Sequence, residues 1–349
     1  MRTSMKRFLL SLVAMEIISL SSASGLASEA VTVDSFVRAE TDTTFARYVK
    51  QGALGKFLHI RGPVAVDKQD VIRMNRDTIY SAGVFDLTDP VTIVKPASGG
   101  RFQSMMVINQ DHSMPPVENG FGKFTFTREA LGSRYAIVIF RTFVDANDPA
   151  DIRAANALQD RIVVQQKSPG TFKAPDWDET SLKKVRDALN VLAATRTDSR
   201  GMFGDKTKLD PISHLLGAAF GWGGNPEAAA MYDNVVPAKN DGTTPHSLSV
   251  KDVPVEAFWS ITVYNKDGFM EKNDRNVYAY NSVTARKNAD GSTTINFGAG
   301  PGAVNDLPIT PGWSYVVRMY QPKPEIINGS WRFPRAQPAL SDSHDKSPR

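Results

Sequence analysis

Residues 102–111 read Phe102-Gln-Ser104-Met-Met-Val107-Ile-Asn109-Gln-Asp111, and residues 258–267 read Phe258-Trp-Ser260-Ile-Thr-Val263-Tyr-Asn265-Lys-Asp267. Both fit F-x-S-x-x-V-x-N-x-D without a gap. In each copy apolar and β-branched residues run up to an Asn and an Asp, the composition of a strand that ends by opening a turn. A G-x-x-Y also recurs further along, at Gly132/Tyr135 and Gly312/Tyr315. Self-similarity of this kind is what duplication of a β unit leaves behind; chance similarity between short pieces is the other account. On both accounts the two regions read as β.

Working outward, short β-prone runs at 78–87, 91–95, 102–110, 123–127 and 135–144 are separated by Gly, Pro, Asp and Asn, the spacing of a sandwich or barrel. Runs at 257–265, 276–286, 293–297 and 314–320 repeat the pattern, with Asp267-Gly268 and Asp290-Gly291 as hairpin signals. Between the two regions the chain turns helical. Asp148-Pro149, Asp210-Pro211 and Asn225-Pro226 each offer an N-cap followed by a first-turn proline. They predict helices to about 166, to about 220 and through the Ala-rich run to Tyr232, while Ser181 predicts another to about 195. A short amphipathic helix is expected over 36–52. The fold class is therefore mostly β with a helical connector, in the order β, α, β, with two β-sandwich or jelly-roll-like domains. The expected divisions are a signal peptide at 1–27, an N-terminal β domain at 31–147, a connector at 148–240, a C-terminal β domain at 241–338 and a flexible tail at 339–349.

Arg2, Lys6 and Arg7, an apolar stretch from Phe8 to Leu20 and small residues up to Ala27 read as an export signal. The expected location is periplasmic or secreted, in a bacterium. Cleavage there takes Lys+Arg from 41 to 38 and Asp+Glu from 37 to 36, so the net charge falls from +4 to +2. That is no footprint of a nucleic-acid binder, and no stable membrane span is expected after cleavage. There are no cysteines, which excludes a thiol nucleophile, disulfides and thiolate metal sites.

No nucleophile elbow, zinc-protease helix or phosphate loop is present, and neither a metal nor a cofactor is expected. Asp111 and His112 follow a strand end and form the candidate acid–base pair. Arg141 closes the apolar run 135–140 and Arg318 lies inside 315–320. A guanidinium drawn out of water there needs a carboxylate or a ligand, and Asp77, Asp86, Asp111 and Asp145 are the N-terminal candidates. Asn75, Arg76, Asp77 and Tyr80 lie in one dense polar stretch, Tyr278 in another at 273–281, and Trp222 in the helical middle. Such mixtures of rings and amides suit a ligand mouth, and equally a polar interface.

Residues 75–81, 107–115, 140–151, 221–232, 258–281 and 311–338 together resemble bacterial exported proteins that join domain of unknown function 1254 to domain of unknown function 1214. The resemblance implies a β-rich N-terminal domain, a helical connector and a jelly-roll-like C-terminal domain, often assembled as a homo-oligomer. It implies no settled activity. Met114 departs from the aromatic expected near that loop. Two functions follow as expectations. One is a protein that binds a small polar or anionic molecule between its domains, with metal-independent hydrolysis as an extension; the other is an oligomeric envelope scaffold without catalysis.

Overall fold

The computed structural model describes residues 28–69, 72–196 and 198–339; the expected export signal and the tail from 340 lie outside the described residues. The N-terminal half runs α1 (Phe36–Lys50), β1 (Leu58–His59), β2 (Thr78–Asp86), β3 (Val91–Lys95), β4 (Gln103–Asn109), β5 (Gly122–Phe126), α2 (Arg128–Leu131), β6 (Tyr135–Phe143), α3 (Pro149–Asp160), β7 (Val163–Gln166), α4 (Glu179–Ala193) and α5 (Pro211–Gly221). Its central sheet has the order β1-β2-β6-β4 and is antiparallel throughout. Ile137 and Ile139 of β6 face the helices, packing with Phe36, Phe45, Leu189 and Leu216. Ala136, Val138 and Phe140 face the small sheet β5-β3-β7, packing with Val91 and Ile93. A strand covered on both faces needs no polar alternation, which is why 135–140 is an unbroken apolar run. Each fully buried Ile contributes about 1.5–3 kcal/mol.

The C-terminal half runs β8 (Ala230–Val235), β9 (His246–Val250), β10 (Trp259–Tyr264), β11 (Ala279–Asn281), β12 (Thr293–Phe297), β13 (Asp306–Leu307), β14 (Ser314–Tyr320), α6 (Pro324–Ile327) and β15 (Gln337–Pro338). Sheets β11-β10-β14-β8 and β13-β12-β9-β15 enclose a core of Trp259, Ile261, Ile295, Phe297, Trp313, Tyr315 and Val317. The mostly-β class with two sandwiches holds, the N-terminal one carrying a helical third layer. No helix among the described residues is long and apolar enough to cross a membrane.

The segment 148–240 is divided between the halves rather than standing alone. Its helices α4 and α5 cover the N-terminal sheet, β7 extends the small sheet, and β8 belongs to the C-terminal sheet. Asp148, Asp178 and Asp210 cap α3, α4 and α5, accepting from Ala150, Ser181 and Ser213 backbone N–H groups at 2.8, 2.7 and 2.8 Å. Asp178 therefore takes the capping role expected of Ser181. Two helix expectations are overturned. Residues 163–166 pair with β3, and 230–235 pair with β14 instead of continuing a helix from Pro226.

The repeated sequence occupies equivalent places. Ser104 of β4 sits opposite Arg141 of β6, and Tyr80 of β2 flanks Arg141 on the other side. In the C-terminal sheet Ser260 and Tyr232 flank Arg318 in the same way. Asn109 and Asn265 open identical turns, each side chain accepting the backbone N–H groups of residues two and four further on, at 2.8–3.0 Å. Backbone Phe143→Phe102 and Tyr320→Phe258 bonds, both 2.9 Å, extend the match. The G-x-x-Y recurrence is not part of it, since Tyr315 holds the register opposite Val263 that Val138 holds opposite Val107. The two halves meet through the matched residues themselves. Phe258 packs on Phe102, Phe143 and Tyr320 at ring separations of 5.3, 4.9 and 4.3 Å.

Candidate functional site

The segments leading into β2 and into β8 each hold one of the matched arginines, the first across the junction between the halves. Before β2, Arg73 adopts a left-handed φ of 56°, donates its N–H to the Gly268 carbonyl at 2.8 Å and accepts from Arg318 Nη2 at 2.7 Å. Before β8, Gly223 adopts a φ of 76°, donates its N–H to His112 Nε2 at 2.9 Å and accepts from Arg141 Nη2 at 2.8 Å. Arg73 thus clasps the C-terminal half, and the residues expected to form one site fall into two groups, one at this junction and one beneath the helices.

The first group gathers Arg76, Asp77 and Tyr278, with Arg318 behind them. They come from segments about 200 residues apart, and they converge because the 64–77 segment lies on the outer face of β10 and β14, where Val64, Val66 and Met74 pack with Tyr264, Tyr278 and Val316. Arg76, Asp77, Asp145, Asn147, Asn276, Tyr278, Asn281 and Thr284 are among the residues lining a small, open cleft between the halves. Arg76 stacks over the Tyr278 ring at 5.2 Å and donates to the Val64 carbonyl. Asp77 is 3% exposed. Its Oδ1 accepts from Asn281 Nδ2 at 3.1 Å, while Oδ2 and the nearby Ser260 hydroxyl are buried without a hydrogen-bond partner. Burial raises the Asp77 carboxyl pKa, with Ser260, Arg318 and Asn281 opposing it. Arg318 donates to Thr262 and Tyr264 hydroxyls as well as to Arg73. Burial opposes its charge, yet Tyr264, Tyr320 and Asp77 hold it above the ordinary guanidinium range. Asn75 adjoins this group, donating to the Tyr320 hydroxyl at 2.8 Å.

The second group holds Tyr80, Arg141, His112 and Trp222 beneath the helices. Arg141 lies over the Tyr80 ring at 5.7 Å. His112 is fully buried, with Trp222 at 5.5 Å and a stacked His214 at 5.7 Å. Burial, with His214 close by, pushes its pKa down to about 3, so the ring is neutral and accepts from Gly223. Asp111 turns away from it to an ion pair with both Arg38 and Lys206. Burial works against the Asp111 charge, but the bonds from Lys206 and Arg38 bring its pKa below the ordinary range. The acid–base couple expected from Asp111 and His112 is therefore not assembled, because each has a different partner. Asn281, Asp145, Asn147 and Asn276 complete the cleft. The dense polar stretch 273–281 signals two of them and Asp145 is among the candidate carboxylates, whereas Asn147, at the end of the expected N-terminal domain, carries no local mark of it.

Family models match two parts of the chain. Residues 54–166 match a protein of unknown function (DUF1254), and residues 232–324 a protein of unknown function (DUF1214). The chain joins a DUF1254 domain to a DUF1214 domain. The Arg73 bonds to Gly268 and Arg318 thus tie DUF1254 to DUF1214, and the cleft lies at their junction. The crystal structure of the VPA0106 protein from Vibrio parahaemolyticus is similar, with a TM-score of 0.68 and 17% identity over 88% of this chain and 100% of that one. An uncharacterised protein from Burkholderia cenocepacia has a TM-score of 0.45 and 14% identity, over 83% and 84% of the two chains. At 17% identity the likeness to the Vibrio protein is one of fold. No functionally curated protein matches the chain.

Proposed function

We propose that this DUF1254–DUF1214 chain binds a small polar molecule in the cleft between its domains, in the periplasm or outside the cell. The observation that carries this reading is the Asp77 carboxyl at the cleft, nearly wholly buried with Oδ2 unpartnered. Buried polar atoms are ordinarily hydrogen-bonded, and one left open costs about 1–3 kcal/mol. A ligand hydroxyl or ammonium donated to Oδ2 removes that cost. Asn147, Asn276 and Asn281 add orienting amides, and Tyr278 adds a ring. The lining is rich in acceptors, and Arg76 already holds the Val64 carbonyl. The cleft therefore suits a donor-bearing ligand such as a polyol or an amine better than a simple anion.

Thermal melting against a panel of sugars, polyols, amino acids and small amines tests this. A ligand at 100 times its Kd adds about 2.7 kcal/mol to stability. The expected result is a stabilising compound whose effect disappears in Asp77→Asn and Tyr278→Ala. A compound that stabilises both variants as much as the parent overturns the assignment, as does a panel without any effect.

A further inference from the structure

We propose that Arg141 forms a second binding site, an anion subsite for a small carboxylate, at the place where the internal repeat leaves a carboxylate out. The argument begins with backbone equivalence. Thr78 pairs with Phe143 and Ala230 pairs with Tyr320. One residue beyond each strand, the Val144 N–H donates to the Asp77 carbonyl and the Gln321 N–H to the Ala229 carbonyl, both at 2.9 Å. Asp77 and Ala229 are therefore the same position in the two halves.

The arginines they accompany are equally matched. Each is flanked by a Ser and a Tyr in the sheet register and donates to a left-handed backbone carbonyl, Gly223 for Arg141 and Arg73 for Arg318. Arg318 has the Asp77 carboxyl within electrostatic reach. At the register position that Asp77 holds in the N-terminal half, the C-terminal half carries Ala229, which offers only a methyl group. Arg141 is 8% exposed, and among the described residues it takes part in no ion pair. Its contacts are the Gly223 carbonyl, Met106 Sδ at 3.8 Å and the Tyr80 face.

A buried cation without an anion is unfavourable, and a guanidinium fork matches a carboxylate in two parallel hydrogen bonds. Tyr48 and Tyr80 beside Arg141 are only partly buried. They give a planar carboxylate aromatic faces to lie against and a phenol to donate. An aromatic monocarboxylate is the class that fits, and benzoate is the simplest probe.

This subsite does not depend on the donor-binding cleft, and one set of variants separates the two. Benzoate, its uncharged isostere benzamide and inorganic phosphate are titrated into the full chain by calorimetry, with melting temperature read in parallel. Benzoate is expected to bind and raise the melting temperature, while benzamide and phosphate do neither. Ala229→Asp supplies the absent carboxylate from within the chain. It is expected to melt higher than the parent without ligand and to bind benzoate at least about tenfold more weakly. Ala229→Asn, of the same size, is expected to show no such gain, and Tyr278→Ala to leave the benzoate response intact. Equal benzoate binding by the parent and Ala229→Asp, or no benzoate binding by the parent, overturns the proposal without touching the cleft.

Discussion

His112 holds a left-handed φ of 55° at the position where the matching turn of the other half uses Gly268 at 86°. A side chain in that conformation costs about 1 kcal/mol, so its ring must return more than the strain. It does so by accepting the Gly223 N–H that would otherwise be buried unpaired. His112→Gly is expected to relieve the strain and lose the bond, for a net loss of about 1–2 kcal/mol. His112→Ala keeps the strain as well and should lose about 1 kcal/mol more, both read from urea midpoints. The pH dependence has a definite sign. The buried ring has a pKa near 3, against about 6.5 in the unfolded chain. Between those values the unfolded state binds the extra proton, so stability falls as pH falls from 6.5 towards 3. At pH 4.5 this one residue accounts for about 2–3 kcal/mol of loss, a slope that His112→Gly should flatten relative to the parent. The strand-end placement of His112 is legible in the sequence. Its partner is not, because Gly223 lies 111 residues away and joins it only when α5 and Trp222 pack on the N-terminal sheet.

Among the elements, α5 sets local propensity against packing. Gly217 lies inside this helix, where alanine would ordinarily gain about 1 kcal/mol. A Cβ there would sit 2.6 Å from the Met202 carbonyl oxygen, closer than the backbone can tolerate. Gly217→Ala is therefore expected to destabilise by about 1–3 kcal/mol, and a rise in the denaturation midpoint would show that the 202–204 loop is free to move. The same contrast explains which elements could be read in advance. Asp148-Pro149 and Asp210-Pro211 carry their information within one turn, so both helix starts were legible. Residues 230–235 look helical because alanine precedes Met231 and Tyr232, yet they form a strand because Arg318 and Met319 stand ready to pair with them. Residues 163–166 follow α3 without a proline to mark the break, and β3 draws them into its sheet. Cross-strand partners contribute a free energy that no local window contains. For the same reason Arg76, Asp77 and Tyr278 could be picked out as polar and aromatic, but their meeting in one cleft could not.

For the whole molecule, the contacts across the junction make the stability of each half depend on the other. Arg318 is capped by the Arg73 carbonyl of the N-terminal half, so separating the halves exposes this guanidinium group and its carbonyl partner together. Phe258 stands at the centre of this arrangement, in contact with Phe102, Phe143 and Tyr320. Contacts shared between halves give a single cooperative unit, whereas halves with independent cores would unfold separately. The parent is therefore expected to lose tryptophan fluorescence and far-ultraviolet dichroism at one midpoint. Trp222 and Trp177 report the N-terminal half, and Trp259, Trp313 and Trp331 the C-terminal half. Phe258→Ala removes the central ring at a cost of about 3–5 kcal/mol, and most of that loss falls on the coupling rather than on either core. It should resolve the melt into two transitions, the second close to the parent's. A single transition shifted down as a whole would place Phe258 in one core and make the junction a passive contact.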